Sequence, residues 1–391
     1  MDMTDTPAIP GPKPRPRATT GHVAGGSATT RILRGAERTD PAFLIAWQKL
    51  VEGAAEPNPF FEPWFLTASF NHLDPNNTHT LLTHWSQEQL TGLMPLAQPT
   101  RYYGYPMPHL ATWLHTNAFC GVPLVRSGYE QQFWRDALHH LDRNSRRALF
   151  LHCAQLPADG PVNRALDTVL AQTKRRAVTV DTAQRAMLSS QLSPEEYLKQ
   201  NLSSKRRKEL RRQRKRLEEA GALSFERCDD GSGIDQWIAE FLALEASGWK
   251  GDARSALGCD ARTQAFFTHA LNRAARFGRL ERLTLRLDGA PIAMLANFLA
   301  PPGLFGFKTA FDERYARFSP GLLLQLENLD LLTRPGIDWA DSCAVQGHSM
   351  IERIWSEKRR VISRNIALGG PIARAGFRLL SAYETRAGSG S

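Results

Sequence analysis

The chain has 391 residues, 42 % of them hydrophobic and 23 % charged, which is ordinary for a globular protein and longer than one hydrophobic core usually serves, so two domains are expected. Its net charge of +10 raises nucleic acid or a membrane surface as partners, yet nine basic residues between positions 203 and 216 carry most of it (Lys205, Arg206, Arg207, Lys208, Arg211, Arg212, Arg214, Lys215, Arg216) against the single acid Glu209. The remainder is nearly neutral. Five scattered cysteines without a CxxC pair exclude a disulfide framework and a zinc ribbon, which suits a reducing, cytoplasmic setting.

Residues 1–30, rich in Pro, Gly, Thr and Ala, read as a disordered tail with no apolar segment for a signal peptide or membrane anchor. Asp40-Pro41 is a cap and first-turn proline for a helix whose inner face holds Phe43, Leu44, Trp47 and Val51. Strands over 78–85 and 90–98 flank the polar stretch 86–89, a hairpin pattern. After an irregular aromatic stretch, helix, strand, helix and strand are expected over 129–142, 147–155, 161–173 and 177–183.

The second half opens at Ser193-Pro194 with a helix expected to run through the basic stretch to Gly221. Ser232 is expected to cap a helix with Ile234, Trp237, Ile238, Phe241 and Leu242 inward, and Asp260 one with Phe266, Phe267, Ala270, Leu271 and Ala274 inward. Leu283, Leu285 and Leu287 alternate ahead of Asp288-Gly289, a hairpin turn leading to a strand over 292–299, with a third strand over 304–310. The loop 311–320, a buried helix over 321–333, a strand over 337–343, a helix over 350–360 and a strand over 361–368 complete the pattern, an α/β plan.

Several stretches carry a resemblance. Ser203-Ser204-Lys205-Arg206-Arg207-Lys208-Glu209-Leu210-Arg211-Arg212, the segment Leu244-Glu245-Ala246-Ser247-Gly248-Trp249-Lys250-Gly251, and the strand ends Gly92-Leu93-Met94-Pro95-Leu96 and Gly121-Val122-Pro123-Leu124 occur in the order seen in the CelD-like (BioF-like acetyltransferase) branch of the GNAT acyltransferase superfamily. The chain resembles that branch, which is related to Fem-type aminoacyl transferases, over about residues 40–370. One departure stands out: GNAT domains use a Gln/Arg-x-x-Gly-x-Gly/Ala loop, whereas Arg317-Phe318-Ser319-Pro320-Gly321 offers one glycine. The resemblance implies two tandem GNAT-like lobes, each a mixed, mostly antiparallel twisted sheet flanked by helices. The expected divisions are 31–190 and 191–375, with a flexible C-terminus over 376–391.

It also implies an N-acyltransferase that takes acetyl-CoA or another acyl-CoA as co-substrate. The acceptor would be a small-molecule amine or sugar of a bacterial exopolysaccharide or cell-envelope precursor. A helix N-terminus presents free N–H groups to an anion, so Ser319, Pro320, Gly321 and Leu322, with Arg317 nearby, are the candidate pyrophosphate cradle. Lys308 and Thr309 end the strand whose backbone would polarise the thioester carbonyl. Asp312, Glu313, Asp341 and His348 are candidate bases, and Tyr315 a candidate acid for the departing thiolate. Trp249, Lys250, Arg207 and Arg211 are candidates for the acceptor side. The basic helix lacks interleaved aromatics for base stacking, so among nucleic acids only a transfer RNA bearing an aminoacyl donor stays in view. A non-catalytic anion- or nucleic-acid-binding protein on a degenerate acyltransferase scaffold is the other alternative. No histidine or cysteine spacing calls for a metal, and the sequence leaves the oligomeric state open.

Overall fold

The structure is a computed structural model and describes residues 28–145, 148–248, 251 and 253–387, with side chains to 381. The first half runs β1 (Ala28–Leu33), α1 (Pro41–Glu52), α2 (Pro63–Leu73), β2 (Thr80–Ser86), β3 (Gln89–Ala97), the small ribbon β4 (Arg101–Tyr102) and β5 (Tyr105–Pro106), β6 (Leu110–Thr112), β7 (Leu124–Val125), α3 (Glu130–Asn144), β8 (Phe150–Pro157), α4 (Pro161–Gln172) and β9 (Ala177–Leu188). After α5 (Pro194–Asn201) and α6 (Ser204–Ala220), the second half repeats the plan. It comprises β10 (Leu223–Cys228), α7 (Ile234–Ala246), α8 (Ala261–Arg276), β11 (Leu280–Leu287), β12 (Ala290–Ala300), β13 (Gly303–Phe311), α9 (Pro320–Glu327), β14 (Trp339–Asp341) and β15 (Glu357–Ala367), closed by α10 (Pro371–Ala387).

Local chemistry starts most of these elements where expected. Asp40 accepts from Phe43 N and caps α1, and Phe43, Trp47 and Leu50 point inward. The β2–β3 turn needs only two residues, Gln87 and Glu88, both left-handed (φ 49° and 62°), so Ser86 and Gln89 pair as the last rungs of the hairpin. Every inward residue expected on α7 and α8 is buried.

Several expectations need correction. Ala28 to Thr30 belong to β1, which pairs with β2, and are not tail. The basic helix is separate from α5, because Leu202 adopts an extended conformation and Ser203 Oγ accepts from Arg206 N to start α6 afresh. Gly233, in the left-handed region, precedes α7, while Ser232 instead bonds to Asp230. Residues 328–333 tighten into a 3₁₀ turn after α9. The stretch 350–360 is not a helix: it makes a single 3₁₀ turn over Ile351–Arg353 and enters β15 at Glu357. Residues 376–387 continue α10 rather than forming a flexible end, since Phe377 is fully buried against Phe150 and Ala367.

Among the described residues, one mostly antiparallel sheet of thirteen strands runs through the molecule in the order β1-β2-β3-β6-β8-β15-β9-β14-β13-β12-β11-β10, with β7 also on β3. Each lobe contains one parallel pair, β6 with β8 and β13 with β14. The lobes exchange strands at the seam. β15, from the second half, lies between β8 and β9, while the end of β9 lies between β14 and β15. The core is shared as well: Trp64 and Phe65 of α2 meet Phe298 and Phe266 edge-on at 4.8 and 5.2 Å between ring centroids.

Candidate active site

The parallel pairing of β13 and β14 lasts three residues, Gly303 to Phe305 against Trp339 to Asp341. Beyond it β13 continues to Phe311 while the chain after Asp341 turns away, with Cys343 left-handed at φ 52°. This divergence opens a cleft of two chambers, of about 380 and 330 Å³, which share Thr309, His348 and Met350 in their walls. A register shift at Ala296/Asn297 pairs Lys308 with Ala296 but Gly306 with Asn297, leaving Phe307 without a ladder partner. The bulge frees backbone hydrogen-bonding capacity where β13 borders the cleft.

The first chamber lies against the start of α9. Ser319 is left-handed (φ 53°, ψ 53°), a conformation costly for a residue with a Cβ. The Ser319 side chain does not cap α9. The first turn of α9 faces the chamber through Ser319, Pro320, Gly321 and Leu322. The single glycine matters through proximity: a Cβ at 321 would stand 2.8 Å from Met350 Sδ. Across the chamber stand Glu313, His348, Arg353, and Glu245 with Gly248 at the end of α7.

Of the residues expected from sequence, the structure brings together Thr309, Glu313, Ser319, Pro320, Gly321, Leu322 and His348 on the first chamber, and Lys308 on the second. Asp312 is elsewhere engaged. It caps the 3₁₀ turn Glu313–Phe318 and is gripped by the Arg314 guanidinium at 2.7 to 3.0 Å, a bond that holds its carboxyl below the usual range. Asp341 is buried, accepts from Cys343 N at 2.8 Å and pairs with Arg359 at 3.3 Å, so it anchors the bend rather than facing the cleft. Tyr315 packs in the apolar cluster that holds Leu217 and Phe318, and Arg317 stacks over Phe318 at 4.6 Å. Neither walls a chamber. Trp249 and Lys250 lie outside the described residues.

α6 runs beside this cleft, with Leu210 and Leu217 buried and Gln213 Nε2 donating to Ser319 Oγ at 3.5 Å. Its acids are all used: Glu209 pairs with Arg212, Glu218 with Arg214 and Glu219 with Lys215, while Glu327 of α9 also takes Arg214. Arg207 turns back on Leu202 O and Ser204 Oγ, whereas Arg211 is exposed. Lys205, Lys208, Arg211 and Arg216 have no ion-pair partner among the described residues.

Sequence reasoning missed Glu245, Arg353 and Gln213. Glu245 had a readable signal: it continues the inward stripe Ile234, Trp237, Ile238, Phe241, and a carboxylate on an apolar face, here accepting from Leu257 N at 2.8 Å, marks a polar site. Cys343 walls the second chamber, where desolvation, with Asp341 adding to it, pushes its thiol well above the usual range and disfavours the thiolate.

Residues 204–347 match the family described as the acetyltransferase (GNAT) domain. The second half of the chain carries a GNAT domain. The match spans α6 through the bend after β14 and so contains most of the cleft. Among solved structures, FemX is similar with a TM-score of 0.55 at 10 % identity, covering 86 % of this chain and 98 % of its own. L-PGS from Bacillus licheniformis follows at 0.52 and 12 %, covering 83 % and 91 %. At these identities the likeness is one of fold, and it extends across both lobes. No curated protein matches the sequence. No helix among the described residues is long and apolar enough to cross a membrane.

Proposed function

We propose that the cleft of the GNAT domain transfers an acyl group from an acyl-CoA thioester to an amine. The observation that supports this most is the continuity of the two chambers, which lead from the start of α9, past the bulged β13, into the gap between the diverging strands. The α9 N-terminus and Arg353 would hold the pyrophosphate, since the helix dipole and a guanidinium both favour an anion. Backbone N–H near Thr309 would polarise the thioester carbonyl. His348 borders both chambers and its Nδ1 has no hydrogen-bond partner among the described residues, so it is the group we assign as base. It takes the proton of the amine as the C–N bond forms and the C–S bond breaks, and the coenzyme leaves as a thiolate that is then protonated. We assign residues 28–190 and 191–375 as the two lobes, with β15 and β9 exchanged.

Calorimetry of the full chain with CoA tests the donor. Binding is expected in the micromolar range and to weaken when Gly321→Leu forces Met350 across the first chamber. Absence of CoA binding removes the reading. A second reading, transfer from a charged transfer RNA, draws support from the unpaired cations on the outer face of α6. It requires tight, salt-dependent RNA binding that is lost when Lys205, Lys208, Arg211 and Arg216 are neutralised.

A further inference from the structure

The second chamber concentrates polar groups that the protein itself leaves unanswered. Asn297 Oδ1, Trp355 Nε1 and His348 Nδ1 are buried without a hydrogen-bond partner among the described residues, and all three residues wall this chamber. Asn297 and Trp355 are each 1 % exposed. Asn297 cannot relieve itself by flipping, because its Nδ2 already donates to Glu281 Oε2 and to Asn328 Oδ1, both at 3.0 Å. Those acceptors are themselves fixed: Glu281 takes Arg227 at 2.8 Å and Arg334, and Asn328 Nδ2 donates to Gln325 Oε1 at 3.1 Å. A chain of bonds that starts at a carboxylate thus holds Asn297 Oδ1 as an acceptor awaiting a donor. Trp355 Nε1 is its opposite, since an indole N–H only donates. Burying such groups without partners is costly, and finding them on one chamber points to a ligand that answers both.

We infer that this chamber is the subsite for the transferred acyl group, and that the group it takes carries a hydroxyl. The inference rests on the thioester-donor reading above. A hydroxyl donates, as Asn297 Oδ1 requires, and accepts, as Trp355 Nε1 requires. A plain alkyl group answers neither. A carboxylate answers Trp355 but confronts the Asn297 oxygen. An ammonium, as on an aminoacyl group, only donates and so leaves Trp355 Nε1 unanswered. The orphan atoms are sealed beneath the wall, so the ligand meets them as the wall adapts. Met350, unbranched and common to both chambers, is the side chain suited to move.

Calorimetry of the full chain with CoA, butyryl-CoA and 3-hydroxybutyryl-CoA decides the matter. The hydroxylated thioester is expected to bind about tenfold more tightly than the alkyl one, the size of one well-made hydrogen bond in a buried site. In Trp355→Phe that preference shrinks while affinity for free CoA holds. Equal affinity for the two thioesters in the wild-type chain, with CoA still bound, overturns the hydroxyl assignment and leaves the donor reading standing. Failure to bind CoA or either thioester overturns both. The wild-type comparison is decisive by itself should Trp355→Phe not fold.

Discussion

Glu62 makes the docking of the two lobes sensitive to pH. It stands at the start of α2, 2 % exposed, accepting from Trp64 Nε1 at 2.8 Å and paired with Arg279 Nε, from the segment before β11, at 3.1 Å. Burial outweighs both partners and pushes its carboxyl from the usual 4.5 up to about 7. Between those values the folded protein keeps a proton that the unfolded chain has released. The stabilisation is therefore fully present below about 4.5 and is lost as the pH rises through about 7. Linkage with these two values gives a loss of about 2 kcal/mol between pH 5.5 and 8 from this group. Urea unfolding of the wild type and of Glu62→Gln at both pH values measures it. Gln removes the titration, so the variant is expected to gain on the wild type by about 2 kcal/mol on going from pH 5.5 to 8. Parallel pH dependence in the two proteins refutes the reasoning.

Other expectations follow from the same geometry. Removing the base with His348→Gln is expected to lower kcat by roughly 100-fold or more while leaving CoA affinity in place, read by steady-state kinetics beside calorimetry. Asp312→Ala loses a cap, so the melting temperature should fall with a cost of about 1 kcal/mol, while turnover by the folded fraction changes little; a collapse of kcat at unchanged stability returns Asp312 to the chemistry. Leu217→Ala opens a cavity under α6 and should destabilise by roughly 3 kcal/mol in denaturant melts. A fragment ending at residue 190 lacks the strand that bonds both β8 and β9, so it should not unfold cooperatively until a peptide spanning 356–387 is added; cooperative unfolding of the fragment alone contradicts the exchange of strands.

Much of the fold is legible locally because its signals are local. Asp40 with Pro41, Asp260 and Asp288-Gly289 each satisfy or turn the backbone within a few residues, and the inward stripes of α7 and α8 follow from helical period alone. The stretch around Ile351, Ile354 and Trp355 shows where this fails. Its spacing is helical and all three are buried, yet only one turn forms, because the chain must extend from Glu357 to fill the gap between β8 and β9. That demand comes from strands roughly 170 to 220 positions earlier, and no local pattern carries it.

The same division holds for the cleft. The resemblance carried by the order of the elements and the residues at their joints implied an acyltransferase-type domain in the second half, and with it the turn at Ser319-Pro320-Gly321 and His348 were nominated. Only the tertiary structure separated Glu313 and His348, which face the cleft, from Asp312 and Asp341, which are spent on Arg314 and Arg359. It alone revealed Asn297 Oδ1 and Trp355 Nε1 as buried atoms without a hydrogen-bond partner among the described residues. Carboxylates and amides look alike in a sequence; their availability depends on which arginine, amide or backbone group a distant segment brings within about 3 Å, and that is settled when the chain packs.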